Sequence, residues 1–148
     1  MYKTVTISRE FGSGGRELGR CLAEKSNFAY YDHEIIAEIA KRTLLAEDYV
    51  QHIIESKPAC SIPIHVGVTF TTISNRINGQ KGVVFREQCN LLKELSEKSD
   101  CVIVGRSADY ILSDYKPYHI FIYSDIESCM VRCRLKGNQD NVIYPKKN

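Results

Sequence analysis

The chain has 148 residues, enough for one domain with a real core and too few for two of ordinary size. It is 43% hydrophobic and 26% charged with a net charge of +2, a balance that argues against nucleic acid or an anionic membrane as partner. No apolar run reaches the roughly 18 residues of a membrane span, and "MYKTVTISRE" leads straight into a strand pattern without a signal-peptide core, so the expected location is the cytoplasm.

In chain order, "KTVTIS" alternates Val5 and Ile7 with threonines and predicts a short strand ending at Ser8. Glycines 12, 14 and 15 break it, after which Leu18, Cys21, Leu22 and Lys25 recur at helical spacing and predict a helix from about Arg16 to Lys25. "FAYYD" reads as a second short strand, followed by Asp32 as a cap for a helix with Ile35, Ile36, Ile39 and Ala40 on one face. "LAEDYVQHIIES" predicts another helix, stopped by Lys57-Pro58. Residues 58–82 carry two signals: Val66, Val68, Phe70 and Thr72 alternate like a strand, while the flanking Pro and Gly suit a loop or mobile flap. From Val83 the pattern is helical, with Val84, Leu91, Leu92 and Leu95 in register. "CVIVG" and "YHIFIYS" are continuously apolar, the pattern of strands covered on both faces. "DIESCMVRCRLK" then predicts a helix capped by Ser124 or Asp125, and "NVIYP" a short strand. Strands separated by helices imply an α/β domain with a parallel sheet and helices on both faces, running as one unit over residues 1–148.

Six cysteines (Cys21, Cys60, Cys89, Cys101, Cys129, Cys133) contain no CxxC, and His33, His52, His65 and His119 lack ligand spacing. Cys129 and Cys133 share a helix face, but no second ligand pair accompanies them. Reduced, mostly buried thiols and no metal site built by the protein are the expectation.

The glycine turn is the motif with chemistry in it. A turn between strand and helix aims backbone N–H groups at one point in front of a helix N-terminus, which favours phosphate. Gly12, Ser13, Gly14, Gly15 and Arg16 would form that cup. The turn departs from the Walker A pattern: aligned on "GSG", Arg9 falls on the first glycine, Gly15 on the lysine, and Arg16 and Glu17 on the next two positions. The charge of the missing lysine would therefore have to come from Arg9 or Arg16, whose guanidinium offers planar, bidentate donors.

"VTISREFGSGGRELGRCLAEK", "FAYYDHEII", "REQCNLLKELSEKSDCVIVGRSADYIL" and "YHIFIYSDIESCMVRCR" together resemble the cytidylate kinase-like family, a P-loop branch related to nucleoside monophosphate kinases, from residue 3 to about 134. GSGGRE in place of GSGKST is a variant of that family. The resemblance implies a P-loop NTPase-like three-layer α/β/α fold with a parallel sheet of order 2-3-1-4-5, and phosphoryl transfer from ATP to a nucleoside monophosphate such as CMP or dCMP. Its cofactors would be ATP and Mg²⁺, with no Mg²⁺ ligand assigned to the protein. Carried over by position, Gly12 to Arg16 would hold the ATP phosphates, Asp32, Arg106 and Asp109 the acceptor, and Arg16, Arg132 and Arg134 the charge in transit. Residues 58–82 would be an acceptor-side flap, and the lid would be largely absent. Asp32 as a helix cap, and Arg132 and Arg134 as solvated helix charges, are the purely structural readings. Two other functions compete: a nucleotide- or phosphate-binding module without turnover, and a kinase fragment whose exposed sheet edge a partner chain or a second copy completes.

Overall fold

Successive side chains of a strand point to opposite faces, so a strand that is apolar throughout must be covered on both. The segment Cys101–Val104 obeys this: all four residues are buried, Cys101 and Ile103 in one hydrophobic cluster, Val102 and Val104 in another. The structure, a computed structural model, describes residues 2–55 and 69–137, without the side chains of 69–78 and 136–137. Its elements are β1 (Thr4–Arg9), α1 (Gly15–Ser26), β2 (Ala29–Tyr31), α2 (Glu34–Thr43), α3 (Glu47–Glu55), α4 (Thr69–Lys98), β3 (Cys101–Val104), α5 (Ala108–Ile111), β4 (Tyr118–Ile122) and α6 (Ile126–Gly137).

The four strands are all parallel in the order β2-β3-β1-β4. This matches the first four places of the expected order; "NVIYP" lies outside the described residues. On one face Ala23 of α1 packs with Val5, Ile7, Val102 and Val104. On the other, α2 to α5 contribute Ile35, Ile39, Val50, Leu92 and Ala108 around Cys101 and Ile103. The result is a three-layer α/β/α fold. Because α1 and α5 follow β1 and β3 onto opposite faces, the chain parts at the C-terminal ends of those strands, where ligands bind in open α/β sheets.

Four expectations are corrected. The buried face of α1 is Gly15, Gly19 and Ala23, not the Leu18–Cys21–Leu22–Lys25 stripe, and Leu18 is 49% exposed. Small residues bring this helix close to the sheet: a Cβ on Gly19 would lie 2.9 Å from Val104 Cγ2 and 3.2 Å from Ile7 Cδ1. Phe70 and Thr72 lie in α4, which begins at Thr69, so the strand reading does not hold there. Extending an existing helix costs little beside nucleating a new element. Val66, Val68 and the Lys57-Pro58 stop lie outside the described residues. Among the described residues β4 is an edge strand with β1 as its partner, and its apolar residues are open rather than covered, Tyr118 at 67% and Phe121 at 56%. α6 is capped as expected, Asp125 Oδ1 accepting the Ser128 N–H at 2.8 Å.

The thiols are the fourth case. The five described cysteines are unbridged, but Cys101 is the buried one; Cys21 is exposed and Cys89, Cys129 and Cys133 are half-buried. Burial pushes the Cys101 thiol up, which suppresses the reactive thiolate. Brief treatment with N-ethylmaleimide is expected to modify Cys21 and leave Cys101 intact until the protein unfolds, as read by peptide mass spectrometry.

Candidate active site

Between Arg9 and Gly15 the chain must reverse from strand into helix. Gly12 (φ 79°) and Gly14 (φ 85°) make the reversal in the left-handed region, where a Cβ is disfavoured. Ser13 is buried, and both its N–H (3.3 Å) and its hydroxyl (2.8 Å) donate to the Glu10 carbonyl, closing the turn on itself. Ser13 therefore shapes the cup from inside. Gly14 is the N-cap of α1 and supplies no side-chain cap, so the Gly15 and Arg16 amides stand at a helix N-terminus that favours an anion.

The middle of α6 leans on this turn. A Cβ on Gly12 would come within 2.8 Å of both the Cys129 carbonyl oxygen and Cys133 Sγ. One on Gly14 would lie 3.6 Å from Arg132 Nε, so the Arg132 guanidinium stands over the turn, steadied by a 3.4 Å hydrogen bond to Ser124 Oγ. Arg134 is exposed, with no hydrogen bond or ion pair among the described residues.

Asp32 follows β2 and is buried. It is not the cap of α2: His33 holds that position, with no side-chain cap bond. Its Oδ2 accepts from Arg16 Nε at 2.8 Å, and its Oδ1 lies 4.0 Å from Arg9 Nη2. A buried carboxylate beside two guanidiniums gains more from ion pairing than from an exposed amide. Arg9 is half-buried; burial pulls its guanidinium below the ordinary value, the Arg16 and Arg106 charges add to that pull, and Asp32 opposes it.

Arg106 closes the arrangement. Gly105, Arg106 and Ser107 take φ values of 72°, 59° and 51°, three left-handed residues in succession, two of them with side chains. Gln88 Nε2 donates to the Arg106 carbonyl and holds this strained turn against α4. The Arg106 side chain is 6% exposed; its Nη1 donates to Glu55 Oε1 at 3.4 Å, while Nε and Nη2 are buried with no hydrogen-bond partner among the described residues. Arg106 is one of the residues lining a cavity of about 630 Å³. Its lining carries the positive charges of Arg9, Lys81 and Arg106, the negative charge of Glu55, and the apolar side chains of Ile53, Ile54 and Val84. Asp109, in the first turn of α5, is not part of that lining.

The structure thus groups Gly12–Arg16 with Arg132, and Asp32 with Arg16, Arg9 and Arg106. Glu55, Lys81 and Gln88 were not anticipated. One signal for Gln88 was there: it sits between Val84 and Leu91–Leu92 on the apolar stripe of α4, a polar residue where a core residue belongs. Among the described residues no group of three His, Cys, Asp or Glu side chains could hold a metal ion, and no helix is long and apolar enough to cross a membrane.

The model of the cytidylate kinase-like family matches residues 4–141. Among solved structures, an uncharacterized protein from Eubacterium ventriosum is 27% identical, aligned over 97% of this chain and 68% of its own, with a TM-score of 0.58. No curated protein matches the chain.

Proposed function

The chain belongs to the cytidylate kinase-like family, and we propose that it moves the terminal phosphoryl group of ATP onto a nucleoside monophosphate of the cytidylate type, CMP or dCMP. One observation carries the reading beyond the family's general kinase character. Arg106 keeps two buried donor nitrogens, Nε and Nη2, without partners among the described residues at the C-terminal end of β3, and it lines a cavity that carries both cationic and apolar side chains. A buried polar group without a partner costs about 1–3 kcal/mol, more when charged, and a monophosphate accepting from both donors would remove that cost.

On this reading the ATP phosphates lie against the Gly15 and Arg16 amides under Arg132, and the acceptor phosphate lies on Arg106 with its nucleoside toward Ile53, Ile54 and Val84. Asp32 acts on the acceptor side through the arginines it orders. Such placement suits phosphoryl transfer, which rests on alignment and charge neutralisation and needs no covalent nucleophile. Mg²⁺ on ATP would neutralise charge on the phosphates. The described residues do not form a cage for it, and Arg16 stands where Walker A places the metal-holding hydroxyl, so no step is assigned to the ion.

A coupled assay with ATP, Mg²⁺ and a panel of CMP, dCMP, UMP and AMP tests the proposal. Turnover of about 1 s⁻¹ or faster with the cytidylates, well above that with AMP, is the expected result. Nucleotide binding without turnover selects the non-catalytic module; no binding removes the site.

A further inference from the structure

We propose that Arg9 binds both nucleotides at once, its guanidinium bridging the donor and acceptor phosphates in the role of the absent Walker lysine. The inference rests on the kinase reading and adds to it a residue outside the glycine turn. Arg9 is the last residue of β1, which lies between β3 and β4, so its side chain starts at the C-terminal edge of the sheet.

Two glycines from separate turns make room for it. Gly15, at the helix start that would receive the donor phosphates, packs against the aliphatic stem: a Cβ there would lie 2.8 Å from Arg9 Cβ and 2.9 Å from Arg9 Cδ. Gly105, which opens the turn carrying Arg106, lies against the other end of the side chain, and a Cβ on it would collide with Arg9 Nη1. One long side chain thus spans from the donor turn to the acceptor turn. Gly15 is also the residue aligned with the Walker lysine, so the Arg9 stem crosses the place that lysine would leave from.

The charges agree. Arg9, Arg16 and Arg106 are close enough for both neighbours to pull on the Arg9 guanidinium, with the Asp32 carboxylate opposing them. Arg16 is committed to that carboxylate through Nε at 2.8 Å. Arg9 approaches it only to 4.0 Å, beyond hydrogen-bond reach, and its guanidinium makes no hydrogen bond among the described residues. Arg9 also lines the cavity beside Arg106. A half-buried cation between two others, with its donors uncommitted, is placed for phosphate oxygens on either side.

Separate calorimetric titrations of the full chain with ATP and with CMP test the assignment without requiring turnover. Arg9→Met keeps the stem that packs on Gly15 and removes the charge. It is expected to weaken both ligands by about tenfold or more, the worth of a charge-assisted hydrogen bond. Arg106→Met should weaken CMP alone, and Arg132→Met ATP alone. Loss of only one ligand in Arg9→Met, or of neither, overturns the bridge while leaving the kinase reading in place. Should Arg9→Met fail to fold, Arg9→Lys keeps the charge without the fork: both affinities must then fall together, and a fall in one alone overturns the proposal. A wild-type chain that binds neither ligand removes the kinase reading and the bridge with it.

Discussion

Arg106→Met is expected to reduce kcat/KM for the acceptor by about 10²–10³ while raising the thermal stability of the ligand-free protein. The two effects share one cause. The side chain is 6% exposed, and its Nε and Nη2 are buried with no hydrogen-bond partner among the described residues. Methionine fills similar space with no polar atoms, so the desolvation cost of those donors disappears, a gain of about 1–3 kcal/mol. What is lost in exchange is the 3.4 Å contact of Nη1 with the half-exposed Glu55, which contributes little. For a chain of this length each kcal/mol of that gain raises the melting temperature by about 2–4 °C. A functional residue that holds strain in the empty protein behaves this way, and a structural one does not. A lower melting temperature with unchanged acceptor kinetics would make Arg106 a structural arginine. Circular dichroism melts and steady-state kinetics on the same preparation read both quantities.

Gly12→Ala is expected to disable the donor side. At φ 79° an added Cβ sits in a backbone region that costs about 1–2 kcal/mol. It also meets the Cys129 carbonyl oxygen and Cys133 Sγ at 2.8 Å. The first of these is helix backbone rather than the end of a flexible side chain, so α6 must shift, and Arg132 shifts with it. Denaturant unfolding should show a loss of about 1–3 kcal/mol, and ATP affinity should fall by more than about tenfold. Gly19→Ala is the control. It creates a comparable crowding, 2.9 Å from Val104 Cγ2, but on the buried face of α1, away from the turn. Its stability should fall while ATP affinity stays within about twofold. Equal loss of ATP binding in both variants would mean that packing in general, not the shape of the turn, governs binding.

Residues that interact within one element were readable from the sequence. The continuous run Cys101–Val104 gave a strand buried on both faces, and the Ile35–Ile36–Ile39–Ala40 stripe gave the inner face of α2. The glycine turn was equally plain, because positive φ leaves its mark in the residue type. The face of α1 was misread because periodicity counts large apolar residues, and here glycine and alanine make the contact. The openness of β4 was illegible for a different reason: an apolar strand looks the same whether or not a neighbour lies beside it, and β4 is at the edge of the sheet among the described residues. The site divides along the same line. Gly12 to Arg16 are contiguous and were found together, whereas Arg9, Asp32, Gln88 and Arg106 meet only once β1, β2, β3 and α4 are in place. Asp32 shows the limit best, since a carboxylate before a helix reads as a cap until the arginines that claim it are in view.

Chemical-shift mapping of the ¹⁵N-labelled chain during titration with ATP bears most directly on the anion cup. Saturable shifts are predicted to be largest at the amides of Gly14, Gly15 and Arg16, with the Arg132 Nε–H signal moving at the same ligand concentration. Shifts centred on another face, such as the open edge of β4, with the glycine turn unmoved, would contradict the account.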